Sequence, residues 1–427
     1  MRKKIKFVLK HQGFRRYFSN TSWLFGEQIL RVFSALIIGA YVARYLGPEK
    51  FGLFSYVIAY VAIFISFAKL GLDGILVRDL VNNPNNRVIY LGTAFWLKII
   101  GAVISISALS FSLMFADNDK TTNLYIFLVA LGVFFQAFEV VDFYFQSRVL
   151  SKYVSLCKIF QLILSSILKL YFIYIGANLF WFVLVIVIDQ ASLALAFYYS
   201  YLKQDNRNFY LKFDKSLARE LLVSAKPLIF SGIMVSIYSS IDRVIIKEML
   251  GSKDVGIYVA ATGLTMALYF IPALISASLF PAIVSAKLNS DLLYTQRLTM
   301  LYKTMCLGGL LVCTFVSINA SKIIQIIYGE KYIESAVILQ IHIWIFLFLC
   351  FSAVFGKWLL SENLQNVVPR FTLMALIINV VGCFIFVPLW SIKGAAFVAL
   401  ASQAIPVIFY GLFNKQMRSQ IKLVFLK

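Results

Sequence analysis

The chain has 427 residues, of which 61% are hydrophobic and only 14% are charged. Globular proteins are ordinarily about 45–50% apolar and about 25% charged, so this composition excludes a soluble enzyme or binding module. The 40 Lys and Arg residues outnumber the 19 Asp and Glu residues and give a formal net charge of +21. In a membrane protein such an excess is typical of cytoplasmic loops that face anionic lipids, so we expect no nucleic acid partner.

Apolar runs of the length that crosses a bilayer, about 20 residues, recur along the chain and predict 12 transmembrane helices. The first six predicted spans are 21–43, 51–71, 88–115, 122–145, 153–175 and 179–201. The second six are 224–247, 255–284, 298–318, 335–356, 367–389 and 394–413. A polar, basic cytoplasmic linker, 206–223, separates an N-lobe, 1–205, from a C-lobe, 224–427. The sequence thus predicts an all-α polytopic membrane protein with two six-helix lobes.

The orientation of the chain follows from its basic residues. Seven of them lie close to the N-terminus: Arg2, Lys3, Lys4, Lys6, Lys10, Arg15 and Arg16. Because cytoplasmic segments near membrane spans are rich in Lys and Arg, this cluster places the N-terminus in the cytoplasm. An even number of spans returns the C-terminus to the same side.

The two predicted halves share a short motif. Leu46-Gly47 is followed after four residues by Gly52, and Leu250-Gly251 is followed after four residues by Gly256. Each motif comes after the first span of its half, where glycine permits a sharp reversal. Two six-helix halves keep the same orientation, which indicates a parallel repeat. Transporters commonly bind substrate between such repeats and rock one against the other.

Residue patterns for catalysis and metal binding do not occur in the sequence. There is no HExxH, Walker A or GxSxG motif, and the two histidines are His11 and His342. The five cysteines include no CxxC pair and are odd in number, which argues against zinc or a disulfide framework. We therefore expect a transporter rather than an enzyme, with no metal and no bound cofactor, although proton or sodium coupling is open.

Ionisable residues inside predicted spans are the candidate functional residues, because charges are costly in a bilayer and usually mark function. Arg31 lies in the middle of the first span, and Glu27 precedes it by four residues. This spacing favours an ion pair, so Arg31 either braces the helix with Glu27 or binds a phosphate. Lys98 is central in the third span without an acid three or four residues away. We expect Lys98 to line a substrate cavity, with a distant buried partner as the alternative.

The acidic residues inside spans are candidates for ion coupling or charge pairing. Asp189 in the sixth span either takes up the coupling ion or pairs with Lys98 or Arg31. Asp242 and Arg243 are adjacent in the seventh span, so at most one of them faces a cavity squarely. Glu139 and Asp142 near the inner end of the fourth span form either a cation gate or a solvated helix end.

Basic groups at mid-depth favour an anionic substrate, whereas an exporter of cationic drugs needs isolated acids in an aromatic cavity. Arg binds phosphate by a bidentate fork and Lys binds it as a point charge. A lipid diphosphate with a sugar head fits this demand, because its tail stays in the membrane while its head crosses.

Several segments resemble the Wzx-type O-antigen flippases, in the polysaccharide-transporter branch of the MOP superfamily. They are WLFGEQILRVFSALIIGAYVARYLGPEKFGLFSYV from Trp23, KLGLDGILV from Lys69, DFYFQSRVLSKYVSLCKI from Asp142 and SSIDRVIIKEMLGSKDVGIYVA from Ser239. The resemblance implies two six-helix lobes around a basic cavity and functional basic residues in the first span, which Arg31 and Arg44 match. It also implies a bacterial inner-membrane location. Polysaccharide polymerase and a chain-length regulator are the protein partners it suggests.

These observations predict a flippase that moves undecaprenyl-diphosphate-linked O-antigen or capsule repeat units from the cytoplasmic to the periplasmic leaflet. Alternating access is the expected mechanism, with substrate on Arg31, Lys98, Arg44 and Arg243. Two alternatives are kept: a small-molecule or drug exporter of the same fold, and a membrane-embedded polysaccharide polymerase or ligase. The short outer loops argue against the enzyme.

Overall fold

The computed structural model describes residues 12–205, 208–362, 364 and 367–413. Arg2, Lys3, Lys4, Lys6 and Lys10 of the N-terminal basic cluster lie outside the described residues, as does the C-terminal tail 414–427. The cytoplasmic placement of both termini therefore stays a prediction.

The described residues are almost entirely helical, since a helix satisfies every backbone polar group internally where lipid offers no partner. The first seven α-helices are α1 (Gln12–Lys69), α2 (Asp73–Asn82), α3 (Arg87–Leu113), α4 (Lys120–Leu131), α5 (Val140–Ser147), α6 (Ser151–Tyr174) and α7 (Leu179–Asp205). The next eight are α8 (Lys215–Tyr238), α9 (Ile241–Leu250), α10 (Ser252–Leu268), α11 (Phe270–Asn289), α12 (Asp291–Tyr328), α13 (Ser335–His342), α14 (Ile345–Ser361) and α15 (Val368–Phe413). Short 3-10 helices cover Pro84–Asn86, Gly132–Glu139, Phe209–Leu211 and Glu330–Tyr332.

Ten helical runs in the described part of the chain are long and apolar enough to cross a bilayer. Two of them exceed the length of one span: Asn20–Asn82 has 63 residues and Val368–Phe409 has 42. Each contains a residue with non-helical backbone angles, Gly47 in the first and Ser391 in the second. The prediction of an all-α, multi-pass membrane protein is confirmed. This criterion leaves each interrupted run whole and so gives ten runs, and the count of 12 spans stays a prediction.

The helices form two compact units. Among the described residues, unit 1 comprises those up to Val42 together with Val57–Ser236, and unit 2 comprises Ala43–Tyr56 and those from Ile237 onward. The segment Ala43–Tyr56, which lies early in the chain, thus packs with the second unit. The division into an N-lobe, 1–205, and a C-lobe, 224–427, stays a prediction.

The predicted linker 206–223 is folded against unit 1 over much of its described length. Phe209 is fully buried, and the indole N–H of Trp96 donates to the carbonyl oxygen of Tyr210 at 2.9 Å. From Lys215 onward the chain is already helical, in α8. The polar composition of this segment therefore does not make it an unstructured tether.

The N-terminus of α4 shows how a loop acid is used outside the membrane spans. Asp119 precedes the helix and accepts hydrogen bonds from the hydroxyl of Thr122 and from the N–H groups of Thr121 and Thr122, the latter two at 3.1 and 3.3 Å. These bonds stabilise the charged carboxylate and lower the pKa of Asp119. The bond from the Thr122 hydroxyl contributes most to this effect. The cap therefore stabilises α4 above the ordinary carboxyl pKa and is lost as pH falls through the lowered value.

Both copies of the repeated motif break a helix at their first glycine. Gly47 has φ 71° and Gly251 has φ 106°, backbone angles that residues with a side chain rarely adopt. The sequence predicted a sharp reversal at each position, and the structure has a break in the helix at both.

The two motifs also pack directly against each other inside unit 2. A methyl group added to Gly52 would lie 1.7 Å from the carbonyl oxygen of Ser252, and one added to Gly256 would lie 2.0 Å from the carbonyl oxygen of Pro48. Each second glycine thus contacts the residue that follows the first glycine of the other motif. The internal repeat forms a reciprocal crossing of backbones, which we call the glycine crossing.

Candidate functional site

The deep charged residues of unit 1 are held in ion pairs. Arg31 Nε donates to Glu27 Oε1 at 2.7 Å, one helical turn apart on α1. The residue Glu27 is buried, while the Arg31 side chain is 39% exposed. The spacing in the sequence predicted this pair and the structure confirms it. Bracing of α1 and phosphate binding both stay open for Arg31.

Lys98 has the distant partner that the sequence left as the alternative. On α3 its Nζ lies 2.9 Å from Glu139 Oε2 and 5.1 Å from the ring centroid of Phe143. The Lys98 side chain is 2% exposed, whereas that of Glu139 is 30% exposed. An ammonium this deeply buried needs its carboxylate partner, so a ligand reaches Lys98 only if the pair rearranges.

Asp142 is likewise paired. Lys158 Nζ donates to its Oδ2 at 2.9 Å, and Gln146 Nε2 donates to its Oδ1 at 2.8 Å. Asp142 is buried at the beginning of α5. In the sequence, Lys158 lies near the beginning of the predicted span 153–175, 16 residues after Asp142, and this spacing does not predict the pair.

Asp189 on α7 has an incomplete set of partners. Ser165 Oγ donates to its Oδ2 at 2.9 Å, and Lys169 Nζ is 3.8 Å from the same oxygen. The other oxygen, Oδ1, is buried and has no hydrogen-bond partner among the described residues. Among the described residues, the cation that pairs with the Asp189 carboxylate is therefore Lys169, rather than Lys98 or Arg31. A buried carboxylate oxygen without a partner is where a proton or cation would bind most favourably.

A cavity of about 440 Å³ opens in unit 1 beside these pairs. It lies between the end of α1, the beginning of α2 and the segment that joins Glu139 to Gln146. The polar residues of its lining are Lys69, Asp73, Glu139, Asp142 and Gln146. Lys69 and Asp73 are exposed, and neither forms an ion pair or a side-chain hydrogen bond with the described residues. Asp73 nevertheless lies within electrostatic range of Lys98, Glu139, Lys69 and Asp142.

Sequence reasoning placed Glu139 and Asp142 near a helix end but did not single out Asp73 or Gln146. Asp73 lies in the KLGLDGILV segment, and its position just after a glycine-containing turn was the available signal. Lys69 lies near the end of the second predicted span, 51–71. The structure brings both to the same cavity, with Lys69 ending α1 and Asp73 beginning α2.

The candidate residues of unit 2 make structural contacts. Asp242 is buried and accepts a hydrogen bond from the Tyr258 hydroxyl at 2.8 Å. Arg243 donates to the carbonyl oxygen of Ser239 at 2.9 Å, and its Nε is 3.9 Å from Asp242 Oδ1. Substrate binding by Arg243 stays a prediction.

Arg44 lies on α1, and its exposed side chain contacts the C-terminal end of α12. Its Nε donates to the carbonyl oxygen of Ile327 at 2.9 Å, and its Nη2 contacts that of Ile326. A cation at these carbonyls is favoured by the helix dipole. This contact explains the basic residue structurally, and substrate binding by Arg44 likewise stays a prediction.

Metal-binding groups are not evident in the described residues, where no cluster of three or more His, Cys, Asp and Glu is positioned to hold an ion. The five cysteines are free thiols.

Comparison with known proteins identifies the family. The family model described as polysaccharide biosynthesis protein matches residues 18–287, more than half of the chain. The chain belongs to this polysaccharide biosynthesis family. A second model, MatE, matches residues 227–385. The recognition of the polysaccharide branch of the MOP superfamily from sequence segments is confirmed, and the family is one of transporters rather than enzymes.

One curated protein and two solved structures are similar to this chain over most of its length. The chain is 22% identical over 401 residues to the capsular polysaccharide biosynthesis protein CapF of Staphylococcus aureus, covering 93% of this chain and 99% of CapF. A MATE-family multidrug resistance transporter of the MOP superfamily, solved facing inward, matches with TM-score 0.74 and 16% identity over 92% of this chain and 96% of that one. The lipid II flippase MurJ, in an inward closed conformation, matches with TM-score 0.72 and 13% identity. This match covers 95% of this chain and 90% of MurJ. At these identities the two structures establish the fold.

Proposed function

We propose that the protein is a flippase for undecaprenyl-diphosphate-linked oligosaccharide in the bacterial cytoplasmic (inner) membrane. It moves capsular or O-antigen repeat units from the cytoplasmic to the periplasmic leaflet by alternating access. The observation that carries this proposal is the group of ion-paired charges beside an open polar cavity inside the apolar helices of unit 1. Charges held within membrane spans mark the path of a polar substrate or ion, and CapF supports a role in surface polysaccharide.

The proposed fold has 12 membrane spans. Breaking the run Asn20–Asn82 at Gly47, and the run Val368–Phe409 at Ser391, adds two spans to the ten that length and composition define. With the N-terminus in the cytoplasm, the cavity beside Asp73 and Gln146 then lies toward the cytoplasmic side, where the substrate is made. Polymerase and chain-length regulator act on the product after it crosses.

Coupling to an ion is the second part of the proposal, and Asp189 is its candidate site. The buried, unpartnered Oδ1 of Asp189 takes up a proton or sodium ion, which changes its attraction to Lys169. Such a change in charge pairing biases one arrangement of α6 and α7 over another.

A vesicle assay tests both parts together. Protein is reconstituted into vesicles that contain lipid-linked oligosaccharide extracted from cells that carry the gene. The fraction of sugar heads open to membrane-impermeant periodate is then followed in time. We expect the wild type to equilibrate the heads across the bilayer and a proton or sodium gradient to drive them to one side.

In the same assay, Asp189→Asn should still equilibrate the sugar heads slowly across the bilayer. The rate driven by the gradient should fall at least about tenfold. The matched control is Asp119→Asn, an acid outside the spans. Unchanged gradient dependence in Asp189→Asn would remove the coupling role, and no movement of sugar heads by the wild type would remove the flippase.

Two observations favour a second candidate, a MATE-type exporter of cationic small molecules. The MatE model matches residues 227–385, and the cavity of unit 1 is lined by three carboxylates, Asp73, Glu139 and Asp142. Extrusion of an organic cation such as ethidium, in place of movement of the lipid-linked sugar, would support this candidate.

A further inference from the structure

We propose that the unit 1 cavity binds a sugar ring of the transported oligosaccharide and that the diphosphate binds elsewhere. This inference rests on the proposed function and adds to it the chemical class that this cavity accepts, an uncharged polyhydroxylated ring. The cavity and its lining carry the argument, in four steps.

The first step is the kind of hydrogen-bonding group in the lining. Asp73, Glu139 and Asp142 present carboxylate oxygens, which accept hydrogen bonds; Lys69 presents an ammonium, which donates them; and the Gln146 amide does both. Sugar hydroxyls both donate and accept. A lining rich in acceptors with a few donors therefore matches a polyol better than a phosphate, which can only accept.

The second step is charge. Lys98 neutralises Glu139, and Lys158 neutralises Asp142. In each pair the lysine Nζ lies 2.9 Å from a carboxylate oxygen. The remaining charges, on Lys69 and Asp73, are opposite and equal. Three cations and three anions thus balance, and the carboxylates face the cavity itself. A diphosphate gains no net attraction here and meets like charges at short range, whereas a neutral sugar meets no such penalty.

The third step is space. A cavity of about 440 Å³ lies within the range of about 300–1,000 Å³ that small-molecule sites occupy. Phe143 and Val77 add an apolar wall against which the C–H face of a sugar ring can pack. Exposed Lys69 and Asp73 leave the cavity open to a ligand that remains attached to a lipid.

The fourth step is pre-organisation. Hydrogen bonds from Gln146 at 2.8 Å and Lys158 at 2.9 Å fix the carboxylate of Asp142, and Lys98 fixes that of Glu139. Asp73 and Lys69 have no such partner in the described chain and are available to a ligand. Two acceptors held in place beside two uncommitted groups lower the ordering cost of binding.

The experiment compares two lipid probes on the full chain in detergent micelles. One is undecaprenyl diphosphate without sugar, and the other is the lipid-linked oligosaccharide pool extracted from cells that carry the gene. We expect the wild type to bind the sugar-bearing lipid about tenfold more tightly, by thermophoresis. The double variant Asp73→Ala/Gln146→Leu should lose this preference and keep the affinity for the bare diphosphate.

Two further variants make the result specific. Both side chains of the double variant are exposed, so the protein should fold, and Asp79→Ala on α2 is the matched control because Asp79 pairs with Arg78 outside the cavity lining. Val77→Trp, which fills the cavity, should reduce the sugar preference by a similar factor. Retention of the preference by both cavity variants would overturn the proposal.

The remaining outcomes separate this inference from the proposed function. Equal binding of the two lipids by the wild type overturns the sugar site and leaves the flippase standing. Binding of neither lipid overturns both. If ethidium displaces the sugar-bearing lipid from wild type but not from the double variant, the cavity is a cation site and the inference is wrong.

Discussion

Lys98→Ala should abolish surface polysaccharide and destabilise unit 1. The change leaves the Glu139 carboxylate beside apolar helices without its cation, which costs about 3–5 kcal/mol where both partners are fully buried. Because the Glu139 side chain is 30% exposed, we expect about 2 kcal/mol in the free energy of unfolding. Surface polysaccharide is measured in a deletion strain complemented with the variant, and stability by thermal unfolding in detergent.

Two controls separate support of the fold from transport. Lys98→Ala/Glu139→Ala removes both charges and should regain most of the stability, since no unpaired charge remains. If it is stable but still inactive, the pair serves transport. Arg78→Ala breaks an ion pair whose arginine is 61% exposed, and it should change stability little, because water and salt screen an exposed pair. Normal polysaccharide with Lys98→Ala would remove Lys98 from the site.

Gly52→Ala should prevent unit 2 from packing as it does. The added methyl group would lie 1.7 Å from the backbone oxygen of Ser252 and 2.7 Å from the backbone nitrogen of Gly256. Overpacking ordinarily costs about 1–3 kcal/mol, and we place this change at the upper end because the three nearest atoms are all backbone. We expect a clear fall in the thermal midpoint and in the amount of protein in the membrane, measured after purification.

Gly39→Ala is the matched control, because Gly39 is also helical and nothing lies within 4 Å of its added methyl group. Alanine is favoured over glycine inside a helix, so this variant should be as stable as the wild type or more so. By the reciprocity of the glycine crossing, Gly256→Ala should resemble Gly52→Ala. A thermal midpoint of Gly52→Ala equal to that of Gly39→Ala would show that the crossing does not hold unit 2.

The sequence predicts the helical class and the multi-pass membrane character, because a long apolar run is a local property. It also predicts the Glu27–Arg31 pair, whose members are four residues apart on one helix. The repeated glycine motifs predict two reversals. Periodicity along the chain does not, however, reveal that the two motifs pack against each other.

The charged site is where sequence reasoning reaches its limit. Lys98 has no acid on its own helix turn, and its partner Glu139 lies on another element, 2.9 Å away in space. The resemblance implied a basic cavity, yet Lys98 and Lys158 are each paired with a carboxylate from another element of unit 1. Tertiary packing decides which charges pair, and the composition of the sequence does not contain this information.

The position of lipid-linked single repeat units in a deletion strain tests the flippase most directly. The measurement labels sugar heads on intact cells or spheroplasts with an impermeant reagent and repeats it after lysis. With the gene deleted, single repeat units should accumulate where the reagent reaches them only after lysis, and complementation should release them. Unpolymerised single repeats that are labelled on intact deletion cells would show that the step lost is polymerisation, and the flippase account would be wrong.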